Sequence, residues 1–137
     1  SPLGFVIKGK DETILYMTDT GYVSQKNMEY IKNLDYYIFE SNHDIEMLMN
    51  TRRPLFLKNR IFGDKGHLNN EYSAHVMAQV IGENTKEICL AHLSQEANTK
   101  EMALDTYQRV FDEEHIYFDN IKIADQKEIV SGGHYEN

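Results

Sequence analysis

Apolar residues in this chain come in short bursts, and their spacing switches between the two-residue period of a strand and the roughly 3.6-residue period of a helix. Gly4 to Lys8 and Thr13 to Met17 read as two strands joined by the polar turn Lys10-Asp11-Glu12. Asn27 to Asn33 carries Met28 and Ile31, with Leu34 close behind, at helical spacing. Tyr36-Tyr37-Ile38-Phe39 is a short apolar strand, and Asp44 to Met49 a short helix that Asp44 is suited to cap. Arg60 to Gly63 reads as a further short extended piece.

Asn69 or Asn70 then caps a longer helix whose apolar face is Tyr72, Ala74, Val76, Met77, Val80 and Ile81, with Gly82 as its stop. Lys86 to Ala91 is a buried strand. Thr99 to Glu114 is a second long helix, with Met102, Ala103, Tyr107, Val110 and Phe111 recurring on one side. Alternation from Ile116 to Val130 predicts closing strands, and the tail from Gly132 reads as frayed. Strands and helices alternating in this way predict an α/β fold with helices packed on a sheet.

Composition adds scale. The chain has 137 residues, 41% hydrophobic and 26% charged, which fits one soluble domain with its own core. No apolar run approaches the roughly 20 residues a membrane helix needs, and no basic-then-apolar leader opens the sequence. Cys89 stands alone inside Ile88-Cys89-Leu90-Ala91 and reads as a buried strand thiol, which fits a reducing cytoplasm. The chain enters its first strand within five residues of Ser1, so it reads as a piece cut from something longer.

A net charge of −8 argues against a protein that coats nucleic acid by charge alone. Between Arg52 and Lys65, however, Arg52, Arg53, Lys58, Arg60 and Lys65 face only Asp64. That strip is either a solvated face or a local surface for phosphate.

Reactive groups in α/β folds gather where strands end. Here Met17 runs into Thr18-Asp19-Thr20-Gly21, Phe39 into Glu40-Ser41-Asn42-His43-Asp44, and Ala91 into His92-Leu93-Ser94, while Gly66-His67-Leu68 leads into a helix start. Taken singly, Asp19 is a turn former, His67 a loop histidine and His92 a donor to some carbonyl. Glu40 is harder to set aside, because a carboxylate ending a buried strand requires a partner. Together they are the ligand and acid–base types of a Zn²⁺ or Mn²⁺ hydrolase. The sequence contains no Cys pair, no His-Glu-x-x-His, no Ca²⁺ loop, no Gly-x-Ser-x-Gly elbow and no Gly-rich phosphate loop. Asp19 and His92 give two convincing metal ligands where a catalytic zinc normally takes three, so the site is incomplete.

Four segments, Thr18-Asp19-Thr20-Gly21-Tyr22-Val23, Phe39-Glu40-Ser41-Asn42-His43-Asp44, Gly63-Asp64-Lys65-Gly66-His67-Leu68 and Leu90-Ala91-His92-Leu93-Ser94-Gln95, fall in order along the chain. Together they resemble the C-terminal half of the YycJ (WalJ, VicX) metallo-β-lactamase-fold proteins, and more distantly ribonuclease Z. The resemblance runs from Gly4 to about Asp125. It implies that residues 1–137 form the C-terminal portion of an αββα sandwich with two divalent metals, Zn or Mn, at one edge. The His-x-His-x-Asp-His motif that supplies most ligands is absent.

By the resemblance, Asp19 matches the carboxylate bridging the two metals and His92 the last histidine ligand of the second. His67 matches the proton donor to the leaving group, and Glu40 the acid that orients it. The implied activity of the full-length protein is phosphodiester hydrolysis on nucleic acid, DNA rather than RNA. Arg60 and Lys65 of the basic strip, with Ser94, Asn98 and His43, are the candidate substrate contacts. Asn69 and Ala97 depart from the family pattern, which often has Ser and Asn there. The chain alone is then expected to be inactive. One alternative is a half-domain that pairs with a partner, such as its own copy, through an uncovered sheet face. The other is a plain binding module in which the His and Asp positions are structural.

Overall fold

The structure is a computed structural model, and it describes residues 3–18, 23–50 and 67–124. Strands β1 (Leu3–Lys8) and β2 (Thr13–Thr18) form an antiparallel hairpin. Helix α1 (Gln25–Tyr30) crosses to β3 (Tyr36–Glu40), and α2 (Ile45–Met49) and α3 (Asn70–Val80) precede β4 (Glu87–Ala91). Helix α4 (Lys100–Glu113) leads to β5 (Ile121–Ile123). The strands lie in chain order, β1-β2-β3-β4-β5, and every pair after the hairpin is parallel. Strands that advance steadily in one direction through right-handed crossovers place their connecting helices on a single face.

Burial follows that geometry. In register, Leu15, Tyr37 and Ile88 form one row across the sheet, and Met17, Phe39 and Leu90 the next. All six are buried in one cluster with Met28 of α1, Ala74, Met77 and Val80 of α3, and Ala103, Tyr107, Val110 and Phe111 of α4. Each such side chain, fully removed from water, stabilises the fold by about 1.5–3 kcal/mol. The rows between point to the opposite face, where Tyr16, Ile38 and Cys89 align. That face is apolar too: Ile38 is buried, Ile14, Tyr16 and Cys89 are half-buried, and Ile7 is 46% exposed. A sheet apolar on both faces is built for a layer on each side.

The helix starts are set by side-chain caps, each accepting from the backbone N–H three residues on. Ser24 accepts from Asn27, Asp44 from Met47, Asn69 from Tyr72 and Thr99 from Met102, at 2.8–3.1 Å. Asn69, like Ser24, is a competent cap. The expected helix from Asn27 to Asn33 instead begins at Gln25, because Ser24 caps it, and ends at Tyr30. Of the closing strands expected over 116–130, β5 is described, and residues from 125 onward lie outside the described residues, as does the expected extended piece at 60–63. Cys89 is half-buried on the second face rather than enclosed.

Gly82 does not stop α3 by turning left-handed. Ile81 already leaves the helix in an extended conformation, and Gly82 has no positive φ. Glycine is required there because a Cβ would collide with the side chain of Asn33. Asn33 takes the left-handed conformation itself (φ 56°), donates its N–H to Val80 O at 2.7 Å, and accepts from Asn84 N–H at 2.9 Å. It thereby ties the end of α1 to the end of α3. Gly82→Ala should lower stability by about 1–3 kcal/mol through that overpacking, read as a drop in denaturation midpoint with unchanged slope. The left-handed helix stop occurs instead at His115 (φ 60°), where Ile116 N–H reaches Phe111 O and His115 N–H reaches Asp112 O. Among the described residues, no helix is long and apolar enough to cross a membrane.

Candidate functional site

The C-terminal ends of the parallel strands converge on one carboxylate. Glu40 is the last residue of β3 and pairs in register with Ala91, so the residue after β4, His92, emerges beside it. Side-chain alternation sends Glu40 to the second face of the sheet and Ser41 toward the helix layer. The loop entering α3 runs alongside, because Asn42 N–H donates to Leu68 O at 2.8 Å and Asn70 N–H to His43 O at 2.8 Å. That pairing places His67 next to Glu40.

Glu40 is fully buried, and its Oε2 lies 2.6 Å from His67 Nδ1 and 3.4 Å from His92 Nδ1. The two rings meet edge to face, with centroids 5.1 Å apart. Both histidines keep about a third of their side-chain surface exposed, 30% for His67 and 36% for His92. A carboxylate only accepts, so each Nδ1 facing it carries the proton, and the other ring nitrogen, Nε2, lies on the far side of the imidazole. Burial pushes the Glu40 carboxyl up, but the hydrogen bonds and positive charge offered by His67 and His92 outweigh it and hold Glu40 below the ordinary glutamate range.

Glu40, His67 and His92 each offer a ligand atom within 4.8 Å of the others, a spacing that a metal ion could bridge. The distances favour another use. An ion bound at 2.0–2.2 Å keeps tetrahedral ligand atoms about 3.3 Å apart. The 2.6 Å separation of Glu40 and His67 is instead a short, charge-assisted hydrogen bond. Glu40 therefore fits the part of a carboxylate that fixes the ring orientation of histidines acting through Nε2. His92, held by Nδ1, fits a metal at Nε2.

Behind the site lies a buried polar clasp. Ser41 Oγ donates to Asn70 Oδ1 at 2.6 Å, and Asn70 and Asn98 exchange amide hydrogen bonds at 2.9 Å in both directions. Ser73 Oγ donates to the Glu40 carbonyl and meets Tyr107 OH, each at 2.6 Å. Asn70 and Ser73 were missed in the sequence because they are polar residues on the inward face of an apolar helix. Their three-residue spacing, matched to Tyr107 on the next helix, was the signal available.

No family model matches the chain. The exodeoxyribonuclease YycJ of Bacillus anthracis is 43% identical over 112 residues, covering 82% of this chain and 42% of that protein. The exodeoxyribonuclease WalJ of Streptococcus pneumoniae (strain D39 / NCTC 7466) is 45% identical over 93 residues, covering 68% and 35%. The chain is a YycJ/WalJ homologue. It spans roughly two-fifths of the length of these relatives. Among solved structures, a diphosphatase from the PhnP family aligns with 90% of this chain and 39% of its own, at TM-score 0.46 and 15% identity.

The remaining expected site residues of this chain are placed differently from one another. Asp19, Arg60 and Lys65 lie outside the described residues. Ser94 lines a cleft of about 260 Å³ along the segment after His92, together with Leu93, Gln95, Thr99 and Lys100. Asn98 reaches the same cleft but is 5% exposed. Its amide is engaged inside the protein, donating to the carbonyls of Ser41 and Asn42 and accepting from Thr99 N–H. His43 is likewise buried, 1% exposed, with Nδ1 3.2 Å from Asn42 Oδ1. At Ala97, the second departure from the family pattern, a small buried residue accepts Asp44 N–H at 2.8 Å, and its own N–H donates to Ser94 Oγ at 3.1 Å.

His92 is left-handed (φ 64°), a conformation that costs about 1–3 kcal/mol in a residue with a Cβ and persists only where neighbours enforce it.

Proposed function

We propose that the full-length protein is a binuclear-metal phosphodiesterase acting on DNA, and that this chain supplies its proton donor, that donor's orienting carboxylate and part of its metal ligation. The observation that carries this reading is the sharing of Glu40 Oε2 between His67 and His92, at 2.6 and 3.4 Å. The relatives are exodeoxyribonucleases by name, which favours DNA over RNA and an exonuclease over an endonuclease.

In this mechanism His92, through Nε2, and Asp19 would hold the metal ions, the roles that the family resemblance implies for them. The ions, Zn or Mn, would supply Lewis acidity to the phosphate and acidify the attacking water. His67 donates the Nε2 proton to the departing oxygen as the phosphorus–oxygen bond breaks, while Glu40 holds its ring through Nδ1 and stabilises the charged imidazole. Arg60 and Lys65 contact the substrate backbone by charge, and Ser94 contacts it from the cleft. The missing ligands belong to the remaining part of the longer protein, which forms the second layer of an αββα sandwich over the apolar sheet face. The protein acts in the cytoplasm, and this chain alone does not hydrolyse DNA.

The test is degradation of a labelled DNA strand by the full-length protein before and after chelation. Activity lost on chelation and restored by Mn²⁺ or Zn²⁺ supports the reading; undiminished activity in the metal-free protein contradicts it.

The apolar second face, with Ile7 46% exposed, favours a second reading for the chain in isolation. It acts as a half-domain that buries this face against another copy of itself. Light scattering of the isolated chain decides: a dimer supports self-association and a clean monomer excludes it.

A further inference from the structure

Asn42 joins the segments that carry all three site residues. It follows Glu40 by two positions, its N–H donates to Leu68 O beside His67, and its carbonyl accepts Ser94 N–H at 2.7 Å. Its side-chain Nδ2 donates to the carbonyl of His92 at 2.7 Å. The amide orientation is fixed by chemistry, since a carbonyl cannot donate and Nδ2 must face it. Oδ1 then faces His43 Nδ1 at 3.2 Å, so the buried His43 ring donates and locks the amide from behind.

We propose that Asn42 is the positioning residue that holds His92 in its left-handed backbone conformation and so aims the His92 ring at its metal, with His43 bracing Asn42. This rests on the reading of His92 as a metal ligand. Two bonds from one residue, to the carbonyl of residue 92 and the N–H of residue 94, bracket the strained peptide. Removing the side-chain donor frees the His92 carbonyl to rotate and the backbone to relax toward negative φ. The ring would then leave Glu40 Oε2, to which its own 3.4 Å contact is a long one.

The experiment uses the full-length protein, with wild type, Asn42→Ala, Asn42→Asp, Ser41→Ala and His92→Ala dialysed against graded free Mn²⁺. Bound metal and melting temperature are measured on each. Asn42→Ala should bind one of its two ions about 10–100-fold more weakly while remaining folded, the range typical of lost outer contacts to a ligand. Asn42→Asp keeps the shape but removes the donor; it should show the same loss and carries the test if the alanine variant does not fold. Ser41→Ala, which breaks the neighbouring clasp without touching His92, should lower the melting temperature and leave metal affinity unchanged. Affinity within twofold of wild type in a folded Asn42 variant overturns the proposal, as does an equal loss in Ser41→Ala. If His92→Ala itself retains both ions at wild-type affinity, the ligand reading falls and this inference with it. Loss of one ion in His92→Ala alone, with the Asn42 variants unaffected, leaves the ligand reading standing and rejects only the role of Asn42.

Discussion

Replacing His67 with alanine in the full-length protein is expected to lower kcat for DNA hydrolysis by about 10²–10⁴-fold, the usual contribution of a positioned general acid. Metal content should not change, because the His67 ring is bound to Glu40 at 2.6 Å as a hydrogen-bonded pair and not as two ligands of one ion. The defect should also depend on the leaving group. A phosphodiester that expels p-nitrophenolate needs no protonation, so His67→Ala should hydrolyse it at a rate much closer to wild type. A uniform loss on both substrates, or loss of an ion, would show that His67 does something other than donate a proton.

His92→Ala is expected to remove one of two metal ions and abolish measurable hydrolysis. A metal acting on a transferring phosphate is worth several kcal/mol, so its loss slows the reaction by about 10³-fold or more. Folding should be largely retained, since the His92 side chain is 36% exposed and the loop is held by backbone bonds and by Asn42. Alanine, like histidine, carries a Cβ at this left-handed position, so the substitution adds little backbone strain. Metal analysis beside a hydrolysis assay checks this result, and full activity with both metals present would remove His92 from the site.

The sheet and helices were largely legible because they are set by local patterns. Tyr36 to Phe39 and Ile88 to Leu90 announce buried strands, and the caps Asp44, Asn69 and Thr99 lie where side-chain chemistry predicts. Glu40 was legible for a physical reason: a carboxylate ending an apolar strand needs a partner, and it has two.

What was not legible depends on contacts distant in sequence. Gly82 looks like a helix stop but is a site of close approach by Asn33, 49 positions earlier in the chain. Asn98 looks like a loop residue available to substrate, yet Asn70 and Ser41 engage its amide. His43 sits among charged and polar neighbours in sequence and is nevertheless enclosed. The left-handed backbone of His92 has no local signal, because it is enforced by Asn42 from another strand end.

In the proposed division of labour around Glu40, His92 would face a metal and His67 the substrate, with Glu40 orienting both without ligating. Anomalous diffraction from full-length crystals, at the absorption edge of the bound metal, tests it most directly. The expected result is a peak about 2.0–2.2 Å from His92 Nε2, with Glu40 still hydrogen-bonded to His67 Nδ1. A single peak seated between Glu40, His67 and His92 and coordinated by all three, or none near His92, would contradict it.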